Sequence, residues 1–263
     1  MSGMKRGEFI TLLGGAAAWP FAARAQQATM PVIGFVNPGS PDAPLVAGFR
    51  KGLNEAGYVE SQNVTVEYHW LEGQFDRLPA LMADLARRRV AVIATPNGNL
   101  AAIAAKAATT TIPIVFSVGE DPVKLGLVDS LARPGGNATG ANIFNNEVTA
   151  KRLGLLHELV PKASRIAVLV NPANTPVAET TLRDIPEAAR ALGLQIHIVN
   201  ASTSREIEAA FAVLVREQAD ALFVASDIYF FSRRVQLATL AAHYRIPATY
   251  SIREAVEAGG LMS

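Results

Sequence analysis

Residues 165–199 read RIAVLVNPANTPVAETTLRDIPEAARALGLQIHIV. Arg165–Val170 is a short β-branched apolar run of strand length. A polar loop, Asn171–Thr175, follows it. Val177–Leu192 then carries the longer amphipathic pattern of a helix, with Gly193 placed just past its end as a C-cap. Gln195–Val199 is the next strand. A strand, a loop, a helix and a strand in this order make one unit of a parallel sheet flanked by helices.

The same grammar extends in both directions. Towards the C-terminus, Ser204–Arg216 reads as a helix, with Ser202 and Thr203 as N-cap candidates and Glu206 at capping-box spacing from Thr203. Ala221–Val224 and Ala248–Tyr250 are strands around a helix over Phe230–Tyr244. The final Gly259–Ser263 looks like a turn entering another strand, so a longer chain is expected. Towards the N-terminus, a helix over Val148–Leu159 stops before Pro161. Before it lie strands at Val32–Val36, Val64–Tyr68, Ala91–Ala94, Ile114–Phe116 and Ala138–Ala141. Helices fill the gaps at Ala43–Ala56, Gln74–Arg88, Leu100–Ala108 and Lys124–Leu131. Asn and Gly cluster near Gly140–Asn146, which marks a boundary. The pattern predicts two consecutive α/β lobes, 26–141 and 142–263.

Residues 1–25 stand apart from that pattern. Lys5 and Arg6 precede an apolar run from Phe9 to about Ala23, which closes on Ala23-Arg24-Ala25. This is the layout of a secretory signal, with cleavage expected after Ala25. The run is interrupted by Gly14, Gly15 and Pro20 and falls short of the roughly 20 apolar residues of a membrane span. The chain therefore works outside the cytoplasm.

Composition narrows the partners. Half of the 263 residues are hydrophobic, enough for a large core. The leader would remove three basic residues and one acidic residue, leaving 21 basic against 22 acidic. A near-neutral chain whose densest basic run is Arg87-Arg88-Arg89, the solvated end of a helix, has no footprint for nucleic acid. There are no cysteines, which excludes thiolate metal sites, a cysteine nucleophile and a lipid anchor at the cleavage site. A freely diffusing exported binder is retained only behind an outer membrane, so the periplasm is the expected location. His69, His157, His197 and His243 are scattered singly, without metal-ligand spacing.

Ligands of open α/β sheets lie outside the carboxyl ends of the strands. That rule selects Asn37–Asp42, Thr95–Asn99, Ser117–Pro122, Asn171–Thr175 and Ser226–Tyr229. These loops are rich in small polar residues, and most lead into helices, whose N-termini favour carboxylates or phosphates. The same residue types also cap helices in proteins that bind nothing. Asp121 and Asp227 are the acidic members and suit a ligand ammonium. Tyr229, Phe230, Phe231 and Phe144 are available as an aromatic wall, although helical spacing assigns at least one of Tyr229, Phe230 and Phe231 to the core. The sequence contains no Gly-x-Ser-x-Gly elbow, no phosphate loop and no Gly-x-Gly-x-x-Gly fingerprint.

Several short motifs then occur in a recognisable order. They are Ala94-Thr95-Pro96, Ile112–Ser117, Asp121-Pro122-Val123, Gly126-Leu127-Val128 and Arg133–Gly140, with Gly52-Leu53, Gly57-Tyr58, Leu159-Val160-Pro161 and Asn171-Pro172 around them. Together with Lys5–Ile10 they resemble the ABC-transporter substrate-binding family described as tryptophan/tyrosine-binding-like. The resemblance covers almost the whole chain from Met4. It implies a two-lobed, type I periplasmic-binding-protein-like fold, with a parallel sheet in each lobe and the ligand between them. It implies a small solute such as an amino acid or related carboxylate, a membrane permease as partner, a monomer, no cofactor and no catalysis. By position, the implied ligand-facing residues are Asn37, Thr95, Pro96, Ser117, Asp121, Asn171, Asn174 and Asp227. Family members often begin Lys-Arg-Arg-Glu-Phe, where this chain has Gly7 in place of the second arginine. They also run about sixty residues further, completing the second lobe. Two rival readings use the same cleft: an enzyme such as a racemase or hydrolase, and a sensory module that reports occupancy to a receptor. Zero cysteines oppose a thiol racemase, and no Ser-His-Asp ordering is visible.

Overall fold

A computed structural model describes residues 30–143 and 148–263. The expected leader, its cleavage site and Phe144 lie outside the described residues. The first lobe holds β1 (Val32–Asn37), α1 (Ala43–Glu55), β2 (Thr65–Trp70), α2 (Leu78–Arg87), β3 (Val92–Thr95), α3 (Asn99–Ala108), β4 (Ile114–Val118) and β5 (Ala138–Asn142). Its five strands are parallel, in the order β2-β1-β3-β4-β5. The second holds α4 (Thr149–Leu159), β6 (Arg165–Val170), α5 (Thr175–Leu192), β7 (Gln195–Asn200), α6 (Ser204–Arg216), β8 (Ala221–Val224), α7 (Ile228–Ser232), α8 (Arg234–Tyr244), β9 (Ala248–Thr249) and α9 (Arg253–Glu257). Its strands are parallel in the order β7-β6-β8-β9. Met262 forms an isolated parallel bridge with Thr249.

The central strands of both sheets are buried on both faces, and the alternation along them divides the core. Ile33 and Phe35 face α1, whereas Val36 joins Met82, Leu85 and the α3 alanines on the opposite side. Gly34 lies on that second face, where a Cβ would sit 2.9 Å from Leu85 Cδ1, so the close approach of Leu85 favours glycine there. In the second lobe Ala167 and Leu169 pack towards α6 and α8, and Ile166, Val168 and Val170 towards α4 and α5. Among the described residues, no helix is long and apolar enough to cross a membrane.

Two expected helices differ. Residues 124–131 form turns, because Gly126 sits at φ +70° and ends any helical run, although Leu127 and Val128 remain core. The helix expected over Phe230–Tyr244 starts at Ile228 and is broken at Arg233 into α7 and α8. The capping reading of α6 is met: Thr203 Oγ1 accepts from Glu206 N at 3.2 Å. Glu206 reaches back to Ser202 N rather than to the cap itself.

Asp220 ties the start of β8 to the start of β6. Its carboxylate accepts from Ser164 N and Arg165 N, both at 2.9 Å, and these backbone donors hold its pKa below the ordinary carboxylate range. A depressed folded-state pKa gives stability that is present above the unfolded value and lost as pH falls through the folded one. Asp220→Asn is therefore expected to flatten the acid limb of a stability–pH profile below about pH 4. An unchanged acid limb would remove this role from Asp220.

Candidate functional site

In each sheet the chain leaves the first strand in one direction and returns on its other side. This places a switch point between β1 and β3, and another between β6 and β8. The two switch points are built alike. Asn37 is the last residue of β1 and Asn171 directly follows β6, and each precedes a proline. Asn37 Oδ1 accepts from Gly39 N at 2.7 Å, and Asn171 Oδ1 from Ala173 N at 3.1 Å, so both close an Asx turn. Each amide nitrogen crosses to the loop after the third strand. Asn37 Nδ2 donates to Pro96 O at 3.0 Å and Asn171 Nδ2 to Asp227 Oδ1 at 3.1 Å.

The lobes meet across these loops. A Cβ at Gly39 would lie 3.3 Å from Ile228 Cγ1, and one at Gly73 would lie 2.9 Å from the Tyr229 ring. Arg234 Nη1 stands 4.0 Å from Asp42 Oδ2 across the gap. Between the lobes lies a cleft of ≈ 310 Å³. The first lobe lines it with Asn37, Ser40, Asp42 and Asn97, and the second with Ile228, Phe231, Arg234 and Glu254. An inner chamber of ≈ 30 Å³ adjoins it, sharing Asn97, Ile143, Ile228 and Phe231. Asn99 and Gly119 complete the chamber from the first lobe, and Asn174, Val177 and Ser226 from the second.

The expected residues divide into three groups. Asn37 lines the cleft and Asn174 the chamber. Ser117 stands one shell back: its Oγ accepts from Asn97 N at 2.8 Å and donates to Asn97 Oδ1 at 3.2 Å, holding Asn97 at φ +55°. Asn171 and Asp227 are likewise buried behind the lining. Thr95 is fully buried with no partner for its hydroxyl, and Pro96 supplies a carbonyl to Asn37. Asp121 caps its own turn, accepting from Val123 N at 2.8 Å, and lines neither space. Of the aromatic residues, Tyr229 and Phe230 are core, and Phe231 is the one that faces the cleft.

Asp227 organises the second lobe's wall. Oδ1 accepts from Asn171 Nδ2, Tyr229 N and Phe230 N, and Oδ2 from Asn174 Nδ2 at 2.6 Å. It is thus the N-cap of α7 as well as the clamp on two asparagines. Burial raises its pKa, and these four donors offset only part of the rise.

Arg152 was not singled out from the sequence. Its guanidinium is buried on α4, 3.9 Å over the Phe223 ring. Nη1 donates to Ser226 Oγ at 3.2 Å, Nη2 donates to Val224 O, and Nε has no partner. Its position before the second lobe's first strand carries no local signal of a site. Among the described residues, no group of three His, Asp or Glu side chains is placed to hold a metal ion.

The family model for ABC transporter substrate binding protein matches residues 30–263. The chain belongs to this family. It is 29% identical over 219 residues to a tyrosine-binding protein of Clostridioides difficile, covering 81% of this chain and 61% of that one. It therefore spans less than two thirds of that relative. A domain from Streptococcus pneumonia solved in complex with L-Trp superposes with a TM-score of 0.72 at 24% identity, covering 88% of this chain and 77% of that one. The ligand-free, open form of a substrate binding protein from Clostridium difficile gives 0.51 at 25% identity over the same shares. The fold of this substrate-binding family member is that of the type I periplasmic binding proteins.

Proposed function

We propose that this protein is the extracytoplasmic binding component of an ABC transporter and captures a small solute between its two lobes. The solute is an amino acid or a related carboxylate. One observation carries the reading: two similarly built switch points, one from each sheet, adjoin a cleft of ≈ 310 Å³ lined by both lobes. Sites of this kind lie where strand order reverses, and a cleft fed by both lobes couples occupancy to lobe closure. The names of two relatives, one tyrosine-binding and one solved with L-Trp, support an amino acid. A membrane permease would receive the solute, the leader-like residues 1–25 support a periplasmic location, and the protein would act as a monomer with lobes 26–141 and 142–263.

Thermal-shift screening against amino acids, small carboxylates, sugars and polyamines tests this. A true ligand present at a hundred times its Kd is expected to add about 2.7 kcal/mol to stability. No shift from any member, with calorimetry equally silent, would overturn the assignment.

A further inference from the structure

Asn97-Gly98 is the single Asn-Gly pair in the sequence. Such a pair is chemically labile wherever the chain can move. The backbone nitrogen of the glycine, unhindered by a Cβ on its own residue, can attack the asparagine side-chain carbonyl. Here the pair joins β3 to α3, with Asn97 on the wall of both the cleft and the chamber.

Packing accounts for both residues. Asn97 takes φ +55°, a left-handed conformation that asparagine tolerates better than most residues. A Cβ at position 98 would lie 3.0 Å from Ala101 Cβ and 3.0 Å from Pro38 Cδ, tighter than ordinary contact, so the site favours glycine. The fold therefore sets a labile dipeptide on a half-buried wall.

Ser117 holds each group that would have to rearrange. Its hydroxyl accepts from Asn97 N at 2.8 Å and donates to Asn97 Oδ1 at 3.2 Å, which fixes the side-chain carbonyl. Its backbone carbonyl accepts from Gly98 N at 3.2 Å, which keeps the attacking nitrogen protonated and turned towards β4. Electrophile and nucleophile are thus tied to one residue of the neighbouring strand.

We propose that Asn97 is a latent deamidation site and that Ser117 keeps it unreacted. In the reaction Gly98 N loses its proton to solvent base and bonds to Asn97 Cγ. The Cγ–Nδ2 bond breaks, and Nδ2 takes a proton from water and leaves as ammonia. Water then opens the succinimide ring at either carbonyl, giving aspartate or isoaspartate. No oxidant or reductant is consumed. Either product adds a carboxylate to a cleft that Asp42 and Glu254 already line. Isoaspartate also reroutes the main chain through the side chain, lengthening the link between β3 and α3.

Incubation of the full chain in mildly alkaline buffer, followed by peptide mass spectrometry and an isoaspartate assay, tests this. The reference is a synthetic peptide of residues 94–101, which carries Asn-Gly without Ser117. The folded chain is expected to lose its amide at least about tenfold more slowly than the peptide. Ser117→Ala gives up two hydrogen bonds and should deamidate about ten- to a hundredfold faster than the unaltered chain. Thermal melts identify a variant that fails to fold. Ser117→Cys, which keeps the volume but bonds weakly, is then read in its place and should change the rate in the same direction. Equal rates for the folded chain and the peptide would overturn the latency. An unchanged or slower loss in a folded Ser117 variant would overturn the guarding role.

Discussion

Replacing Asp227 by alanine is expected to destabilise the second lobe by about 3 kcal/mol. The N-cap of α7 disappears, which costs about 1 kcal/mol. The amides of Asn171 and Asn174 lose their acceptor inside the core, at about 1–3 kcal/mol each. Relief of the carboxylate's own desolvation offsets part of the total. Asp227→Asn separates the components. The cap oxygen can remain on the Tyr229 and Phe230 amides, while the new amide nitrogen faces Asn174 and favours its flip. That variant should lose less stability than the alanine. Because burial raises the folded-state pKa of Asp227, its ionisation costs stability as pH climbs from the unfolded value through the folded one. The sign is opposite to that of Asp220, and Asp227→Asn should abolish this decline. Denaturant melts of both variants across pH are the measurement. A loss below about 0.5 kcal/mol for Asp227→Ala would show that the four hydrogen bonds do not stabilise the lobe.

Phe35→Ala is expected to cost about 4 kcal/mol in the first lobe. The ring is fully buried on β1 and is surrounded by Phe49, Tyr68 and Trp70 at centroid distances of 4.9, 5.1 and 5.5 Å. Those three residues come from α1 and the edge strand β2, so this single side chain fastens both elements to the central strand. Removing it forfeits the buried area and three aromatic contacts of roughly 0.5–1.5 kcal/mol each, part of the same total. The sequence has two tryptophans, Trp19 and Trp70. Once a chain is cut after Ala25, Trp70 alone reports, and its emission should red-shift in the variant. A shift in denaturation midpoint worth less than about 1 kcal/mol would mean that the lobe collapses around the gap.

The two lobes were legible in the sequence because both sheets are central and apolar, and their strands and helices differ in period. β6, α5 and β7 show this best: 165–170, 175–192 and 195–200 follow the expected runs closely. Residues 124–131 misled because Leu127 and Val128 supply helical spacing while Gly126 takes a left-handed conformation that composition does not reveal. The loops picked by the strand-end rule border the cleft and the chamber, but the individual side chains were not separable within them. Asn97 and Asn174 line a space while Thr95 and Asn171, a few residues away, are buried beneath it. Which residue of a loop faces out depends on the turn it adopts. Arg152 was invisible for a different reason: its partners lie 72 and 74 residues further along the chain.

The paired Asn-Pro turns have a consequence for kinetics. Asn37 and Asn171 spend both ends of their amides within their own lobes. The walls of the cleft are therefore set during folding rather than by whatever arrives. The entropy of ordering those loops is spent before encounter, so little of the binding energy is diverted to shaping the site. Under the proposed capture of a solute, arrival would then be limited chiefly by diffusion, leaving the residence time to discriminate one solute from another.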